Sequence, residues 1–456
     1  MASASRSRRR TASRALDPLR PSAVPTGFLD AWNRLVADWE PPTLPGRRGR
    51  KPRVPLTELL PALTFHVLSG AGTLSDHFAQ LFNAPLADSS WADRRARLPW
   101  EIFADLMQRV LRPQATRRQP DAFWRGWRVV ALDGTQFRLT NTPQILATLP
   151  KARTRRGRAA FAKITTCVLL ELGLHNPLAA AIGRRGQSEW ELARSLLARV
   201  PTRVLLLADR LYGCAAFAVQ AQAVCARVGS HFLIRARTDI KPTVITRLTD
   251  GSRIIRVRVR ETGHPMHILG SLEVREIRVR VGRSGHRTHA LRLWTSLRDP
   301  ETAPALELAH LYARRWEHEL YFRELKRQVR KTDVLHSHTV DTAAQEIAAL
   351  ILVSALIATE RARAAPNHVP VFAVSFANVL EWVRASWLAL SQFDDILTAR
   401  QMDTFLRRVY TQMGRCITVK RRSRSCPRAV RQSVKRWPRL MRTQSIEGPL
   451  QFDLVK

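Results

Sequence analysis

The chain has 456 residues, enough for two to four domains, and 45% of them are hydrophobic. Its 75 Lys and Arg against 37 Asp and Glu give a formal net charge of +38, so a polyanion such as nucleic acid is the expected partner. With 12 Trp and a large apolar fraction, the chain does not fit a ribosomal or purely architectural protein.

The cysteines and the terminal segments bear on the cellular compartment. Five cysteines without CxxC spacing argue against a disulfide framework or a zinc finger and indicate a reducing cytoplasm. Residues 1–25 mix Arg, Ser and Pro, which is typical of a disordered basic arm, and contain no apolar stretch that would serve as a secretory signal. The longest apolar run, residues 347–358, is too short to span a bilayer and predicts a buried helix.

Residues 26–120 predict a helical N-terminal domain, because short helical patterns alternate with Gly and Pro. Arg94, Arg95 and Arg97 cluster within a stretch that fits a helix-turn-helix, so we interpret this domain as DNA-binding. A helical packing domain with a charged surface explains the same pattern.

The next segment, WRVVALDGTQFRL, predicts a buried strand that ends at Asp133. Because an Asp-Gly pair is also a strong hairpin signal, a turn aspartate is the alternative. Two more strands and a helix are expected before TRVLLLADRLYG, a buried strand that carries Asp209 at its C-terminal end. Ligands of open α/β sheets gather at such strand ends, whereas a helix cap or a pair with Arg210 is the alternative for Asp209.

Residues 239–287 predict a β-rich insertion, since SRIIRVRVRE and LEVREIRVRVG alternate with period two. Arg256, Arg258 and Arg260 would share one face, which suits a phosphate backbone passing over it; an ordinary half-exposed sheet is the alternative. The strand ALRLWTSL follows and carries Trp294.

Residues 310–332 predict a helix with a polar stripe. At 100° per residue, Tyr312, Arg315, Glu319 and Lys326 fall within an arc of roughly 60°. Apolar residues on both sides indicate that the stripe faces a cleft, although a solvated helix with an Arg315 to Glu319 ion pair is the alternative.

Residues 339–456 predict a helical, basic C-terminal region, in which residues 407–442 contain no Asp or Glu.

The spacing Tyr, two residues, Arg, three residues, Glu, six residues, Lys resembles the signature of the DDE transposases of bacterial insertion sequences, in the insertion-sequence-four or YREK family. Asp133, Asp209 and Glu319 occupy the places of that family's three acids. The element order and the resemblance predict an α/β fold: a ribonuclease-H-like catalytic core at residues 121–338 with a β-rich insertion, flanked by helical N- and C-terminal regions. One departure is Leu211, where relatives often carry Gly.

The resemblance implies metal-dependent DNA cleavage at transposon ends and strand transfer into target DNA. Asp133, Asp209 and Glu319 would hold two Mg²⁺ ions, or Mn²⁺, because hard cations prefer carboxylate oxygens. Other side chains would contact DNA: Tyr312, Arg315 and Lys326 at phosphates of the transposon end, and Trp294 by stacking on a displaced base, with a core position as the alternative for Trp294.

The implied partners are double-stranded DNA, as terminal inverted repeats and target, and a second copy of the chain on paired ends. The implied location is the bacterial cytoplasm at the nucleoid, without a membrane. Two other functions fit the same residues. One is a non-catalytic DNA-binding regulator or inactive remnant of a mobile element, and the other is a metal-dependent nuclease that cuts without joining.

Overall fold

The computed structural model describes residues 54–84, 86–154, 157–261, 264–282, 289–367, 369–393, 396–418 and 451–454. The predicted basic arm at residues 1–25 and most of the basic block at residues 407–442 lie outside the described residues.

In the described residues, the helices are Leu56–Ser69 (α1), Leu74–Phe82 (α2), Asp88–Ala96 (α3), Trp100–Val110 (α4), Pro143–Thr148 (α5), Glu189–Leu197 (α6), Ala215–Arg227 (α7), Ala305–Ala313 (α8), Trp316–Arg323 (α9), Val340–Ala364 (α10), Phe376–Phe393 (α11) and Ala399–Arg415 (α12). The strands are Phe123–Trp124 (β1), Trp127–Arg138 (β2), Arg153–Thr154 (β3), Gly157–Arg158 (β4), Lys163–Glu171 (β5), Asn176–Ile182 (β6), Val204–Ala208 (β7), His231–Arg235 (β8), Thr243–Arg247 (β9), Arg253–Glu261 (β10), His264–Gly282 (β11), His289–Thr295 (β12) and Gln451–Leu454 (β13). Short 3-10 turns occupy Pro120–Ala122, Arg210–Tyr212 and Val371–Ala373, and a π-helical segment, Glu324–Val329, directly follows α9.

One large mixed sheet organises the molecule, with the strand order β6-β5-β2-β7-β8-β12-β11-β10-β9. The strands β6, β5 and β2 are antiparallel neighbours, whereas β2, β7 and β8 run parallel to each other. This arrangement of the first five strands confirms the predicted ribonuclease-H-like core. The arginine-rich strands β9 to β11 continue the same sheet through β12, which pairs with β8.

Alternate residues of β2 serve two separate cores, as the pleat of a strand requires. Val129 and Ala131 belong to the apolar cluster that the helices α1, α4, α8 and α10 complete, while Val130 and Leu132 belong to the cluster beneath α6 and α7. Because both faces of the parallel strands are covered, β7 is buried along its whole length and consists of apolar residues.

The helix α10 contains the apolar run at residues 347–358 and lies in the larger core. It is the one helix of the described residues that is long and apolar enough to cross a membrane, and 89% of its apolar window is buried inside the protein. The predicted buried helix is therefore confirmed.

Two sequence-based predictions about the site elements were wrong in detail. Asp133 neither ends its strand nor forms a turn, because β2 continues to Arg138, and Gly134 pairs with Cys167 of β5 in regular register. The signature segment is not one continuous α-helix. It breaks between α8 and α9, where the N–H groups of Arg314 and Arg315 bond to carbonyls three residues back, and it then widens into the π-helical segment.

One member of the predicted arginine cluster, Arg95 of α3, is engaged within the protein. Arg95 donates to the Ser337 hydroxyl at 3.0 Å and to the Thr342 carbonyl at 2.7 Å, which ties α3 to the start of α10. Arg97, which directly follows α3, lies 3.6 Å from Asp93 of that helix, and both side chains are mostly exposed. For Arg95, the structure therefore fits the packing alternative rather than DNA contact.

Candidate active site

The two aspartates lie side by side where β7 ends. In the parallel pair of β2 and β7, Leu132 is opposite Ala208, so Asp133 and Asp209 follow at the same level of neighbouring strands. Neighbouring strands are about 4.8 Å apart, which brings the two backbones within reach of a shared ligand. The 3-10 turn after Asp209 forms with Leu211 in it, so the departure from the family pattern does not prevent the turn.

Arg315 forms ion pairs with two of the three predicted acids, Asp133 and Glu319. Its Nη1 lies 3.2 Å from Oδ2 of Asp133, and its Nη2 lies 3.3 Å from Oε1 of Glu319. The break between α8 and α9 directs Arg315 toward the sheet, where its side chain is only 13% exposed. The Arg315 to Glu319 pair expected for a solvated helix is thus present, but it lies in the cleft and includes Asp133.

Tyr312 links the signature segment to Asp209, the second of the predicted acids. Its hydroxyl lies 3.5 Å from Oδ1 of Asp209 and 3.4 Å from the carbonyl oxygen of Ala208. Burial and the charge of Asp209 raise the pKa of Tyr312, so the phenol stays protonated. Tyr312, Arg315 and Glu319 therefore converge with both aspartates on one region of the sheet.

The site holds more negative charge than Arg315 balances. Burial raises the pKa of Asp133 to about 7; Glu189 and Asp209 also raise it, while Arg315 and the Gly134 N–H oppose the shift. Burial alone would lower the pKa of Arg315, but Tyr312, Asp209, Asp133 and Glu319 raise it. A buried carboxyl whose pKa is raised by burial and by neighbouring acids is suited to binding a cation.

Glu189, at the start of α6, is a further acid of this region that our sequence analysis did not single out. Its Oε1 accepts the Tyr212 hydroxyl at 2.9 Å. Its carboxylate also fills the space beside Gly134, where an added Cβ would lie 2.3 Å from its Cδ. The Ser188 and Glu191 capping box marks the helix start in the sequence, but only the sheet register reveals that Glu189 approaches Asp133.

Lys326 lies farther along β2 than the acids. Its Nζ donates to the Thr135 hydroxyl at 2.5 Å and to the Gln136 carbonyl at 2.9 Å. Burial, followed by the neighbouring cations Arg330, Arg138 and Lys163, lowers the pKa of Lys326 to about 8. Lys326 therefore contacts β2 two and three residues beyond Asp133 and does not contact Asp133 itself.

The predicted base-stacking role of Trp294 was wrong, because the indole is fully buried. Its Nε1 lies 3.4 Å from Oε1 of Glu276, in the middle of the sheet. The core alternative is the one that the structure supports. A single sequence could not decide between the two, since a strand tryptophan has the same pattern in either role.

The arginine face of β10 is exposed, as the period-two pattern predicts. Arg256, Arg258 and Arg260 lie at the surface, while Val257 and Val259 between them are buried. Arg256 forms a 2.7 Å ion pair with Glu273 of β11, so this face mixes its charges where the two strands pair.

The chemistry of the three predicted acids fits a divalent cation. Their carboxylate oxygens are hard ligands, and two of them, from Asp133 and Glu319, already share a cation, the Arg315 guanidinium. As they stand, no three His, Cys, Asp or Glu side chains of the described residues are placed to hold one ion together. A metal ion would have to take the place of the guanidinium.

The sheet order and the position of these acids define a ribonuclease-H-like domain of the DDE class. The sequence model of the transposase DDE domain family matches residues 124–356, and the chain belongs to this family. The matched range includes the acids and the whole signature segment.

Curated relatives confirm the resemblance to transposases of the insertion-sequence-four family. The transposase InsG of insertion sequence element IS4 from Escherichia coli K12 is 25% identical over 242 residues, which are 52% of this chain and 53% of that protein. A second transposase-related protein of the same strain, InsZ, is 30% identical over 128 residues, 28% of this chain and 43% of that protein. The chain thus spans about half the length of the curated relatives it matches, or less.

A solved structure also resembles the chain at low similarity. A piggyBac transposase synaptic complex with hairpin DNA aligns with a TM-score of 0.40 and 9% identity, covering 85% of this chain and 81% of that chain.

Proposed function

We propose that the protein is a transposase that cleaves DNA at transposon ends and transfers the ends to target DNA in a metal-dependent cut-and-paste reaction. The observations that support this proposal are the contacts of Arg315 with Asp133 and Glu319 and of Tyr312 with Asp209, which link the three acids through the signature segment. A matched relative is named as a transposase, and the residues that match the transposase DDE domain family, 124–356, include these three acids.

Asp133, Asp209 and Glu319 would hold two Mg²⁺ ions, or Mn²⁺ in their place, which when bound would activate the attacking oxygen and stabilise the leaving oxyanion. Arg315 pairs with both Asp133 and Glu319 in the free protein and balances part of their charge. On DNA binding, Arg315 would exchange these carboxylates for a phosphate, to which a planar guanidinium can donate two parallel hydrogen bonds. Tyr312 donates to Asp209 in the free protein, and on DNA binding it would turn this one O–H donor to a phosphate of the same strand.

The wider assembly is part of this proposal. The helical residues 26–120 and the basic residues 339–456 would contact DNA beside the catalytic domain at residues 121–338, through exposed side chains rather than through Arg95. A homodimer on paired ends would bring the terminal inverted repeats together before strand transfer into target DNA. The reaction would take place at the nucleoid in the bacterial cytoplasm.

A supercoiled plasmid with the cognate ends tests the proposed function. The ends would be found as imperfect inverted repeats that border the gene. With Mg²⁺, we expect excision and strand-transfer products, and EDTA should stop both. End binding without any cleavage would support a DNA-binding regulator or inactive remnant, and cleavage without joining would support a metal-dependent nuclease.

Lys326→Ala should weaken binding of end DNA and lower the slope of log Kobs against log salt by about 1, because one phosphate contact is lost. The pKa of Lys326 is lowered to about 8, so the wild-type protein should lose this contact as the pH rises through about 8, whereas an ordinary lysine remains charged to about pH 10. Fluorescence anisotropy titrations in EDTA at pH 7 and pH 9 measure both effects. An unchanged salt slope at pH 7 would remove Lys326 from the DNA interface.

A further inference from the structure

A cluster of cations lies beyond Lys326, at the end of β2 that points away from the acids. Arg138 ends β2, and Lys163 begins β5 directly opposite it in the antiparallel pair. Arg330 follows the π-helical segment, and its guanidinium carbon lies 5.5 Å from the centre of the Phe137 ring; Nζ of Lys326 lies 5.1 Å from the same ring. Arg138 and Lys163 are close enough to lower the pKa of Lys326, and Arg138 is close enough to lower that of Arg330, so three separate elements bring these cations together at the end of β2.

The acids near this cluster do not balance its charge. Asp333 lies 3.9 Å from Arg138, and both side chains are more than half exposed. Glu346 accepts a hydrogen bond from the Ser337 hydroxyl at 2.6 Å. Its effect on Arg330 is through charge alone, which raises the Arg330 pKa. Exposed pairs such as the one at Asp333 contribute little stability.

Arg330 has unused donors. Its Nε and Nη1 are buried, and they have no hydrogen-bond partner among the described residues. Burial lowers the pKa of Arg330, and the charge of Arg138 adds to this effect against Glu346 and Asp333. Buried donors without partners cost free energy in a folded protein, so such a group calls for an acceptor that the chain itself does not supply.

We propose that Arg138, Lys163 and Arg330 form a phosphate-binding subsite for the backbone of the bound DNA end, with Lys326 at its edge. This inference rests on the proposed function, which places the scissile bond at Asp133. The non-bridging oxygens of a phosphodiester accept charge-assisted hydrogen bonds, which the guanidinium groups can donate as a fork. They would also neutralise the repulsion among the cations.

The position of the subsite follows from strand geometry. Arg138 is five residues beyond Asp133 in β2, so at about 3.3 Å per residue the two lie roughly 16 Å apart. A DNA strand advances about 3.4 Å per nucleotide along the helix axis. For DNA whose axis runs parallel to β2, as this proposal places it, the contacted phosphate is about five nucleotides from the cleaved bond.

Single methylphosphonate linkages in the end DNA test this subsite, since each removes one phosphate charge. Binding is measured in EDTA with full-length protein, so no cleavage is required. We expect the wild-type affinity to fall about tenfold when the linkage lies about five nucleotides from the cleavage site. Arg330→Gln should bind unmodified DNA about tenfold more weakly and should show no further loss at that linkage. Arg327→Gln, at an exposed position of the same π-helical segment, should keep the position-specific loss.

Thermal unfolding without DNA separates this role from a structural one. Neutralising Arg330 removes repulsion, so the Arg330→Gln variant should have an unchanged or higher thermal midpoint. A retained position-specific loss in Arg330→Gln would overturn the proposal, as would a lower midpoint of this variant or a wild-type profile without any sensitive linkage. If Mg²⁺ produces no cleavage, the proposed function is wrong. The phosphate-binding subsite is still tested in that case, because the binding profile is measured in EDTA and does not require cleavage.

Discussion

Glu319→Gln is expected to reduce cleavage at transposon ends by about 1000-fold or more, which corresponds to a loss of about 4 kcal/mol of transition-state stabilisation. The amide keeps the size of the side chain and can still accept a hydrogen bond from Arg315, but it lacks the charge that a divalent ion requires. Binding of end DNA should change little, because Glu319 contributes no cation to the interface. Single-turnover cleavage with Mg²⁺ and anisotropy in EDTA measure the two quantities.

Glu317→Gln is the matched control, because Glu317 lies two positions away on the same helix. Its carboxylate pairs with Arg314 at 2.8 Å and accepts the Gly173 N–H at 2.6 Å, away from the acids of the site. This variant should cleave within a few-fold of the wild-type rate. Full activity in Glu319→Gln would exclude Glu319 from metal binding, provided that the variant has the wild-type thermal midpoint.

Glu276→Gln is expected to be the most destabilising of the conservative substitutions in the sheet, by about 3 kcal/mol or more. The Glu276 side chain is fully buried and pairs with Arg253, Arg278 and Arg292. Burial alone would raise its pKa, but hydrogen bonds and charge from Arg292 and Arg253 lower it overall. Loss of the carboxylate would leave Arg253 and Arg292, which are 17% and 10% exposed, without their counter-charge.

Glu273→Gln on the same strand is the control for this prediction. Its side chain is 34% exposed and pairs with the exposed Arg256, so the change should cost less than about 1 kcal/mol. Thermal unfolding should give a midpoint at least about 3 °C lower for Glu276→Gln and a nearly unchanged midpoint for Glu273→Gln. Equal midpoints for the two variants would show that the buried arginines do not depend on Glu276.

The Glu276 cluster also predicts a pH dependence of stability. The folded-state pKa of Glu276 is lowered below the ordinary glutamate value, so its contribution is complete above that value, near pH 4.3. The contribution is then lost as the pH falls through the folded-state pKa. The difference in thermal midpoint between wild type and Glu276→Gln should therefore narrow below about pH 4.

The signature residues were predictable from the sequence because their spacing depends mainly on local helical geometry. Tyr312, Arg315 and Glu319 reach one region of the sheet even though the helix breaks between α8 and α9. The break itself was not predictable, since it depends on packing of neighbouring side chains such as the fully buried His318 and Tyr321. Local propensity does not encode such tertiary contacts.

Features that depend on strand pairing were harder to predict. The Asp-Gly pair at Asp133 favours a turn locally, but β5 supplies a regular partner for Gly134 and keeps β2 extended. The position of Glu189 was not predictable for the same reason. Its approach to Asp133 requires the missing side chain of Gly134 and the hydrogen bond from the Tyr212 hydroxyl. These contacts join residues that are far apart in the chain.

The location of bound Mn²⁺ tests the central claim most directly. Crystals of the protein with end DNA, soaked in Mn²⁺, would locate the ions by anomalous scattering. We predict Mn²⁺ in contact with carboxylate oxygens of Asp133, Asp209 and Glu319, with Arg315 turned to a DNA phosphate. Mn²⁺ bound only elsewhere, with Arg315 still joining Asp133 to Glu319, would contradict it.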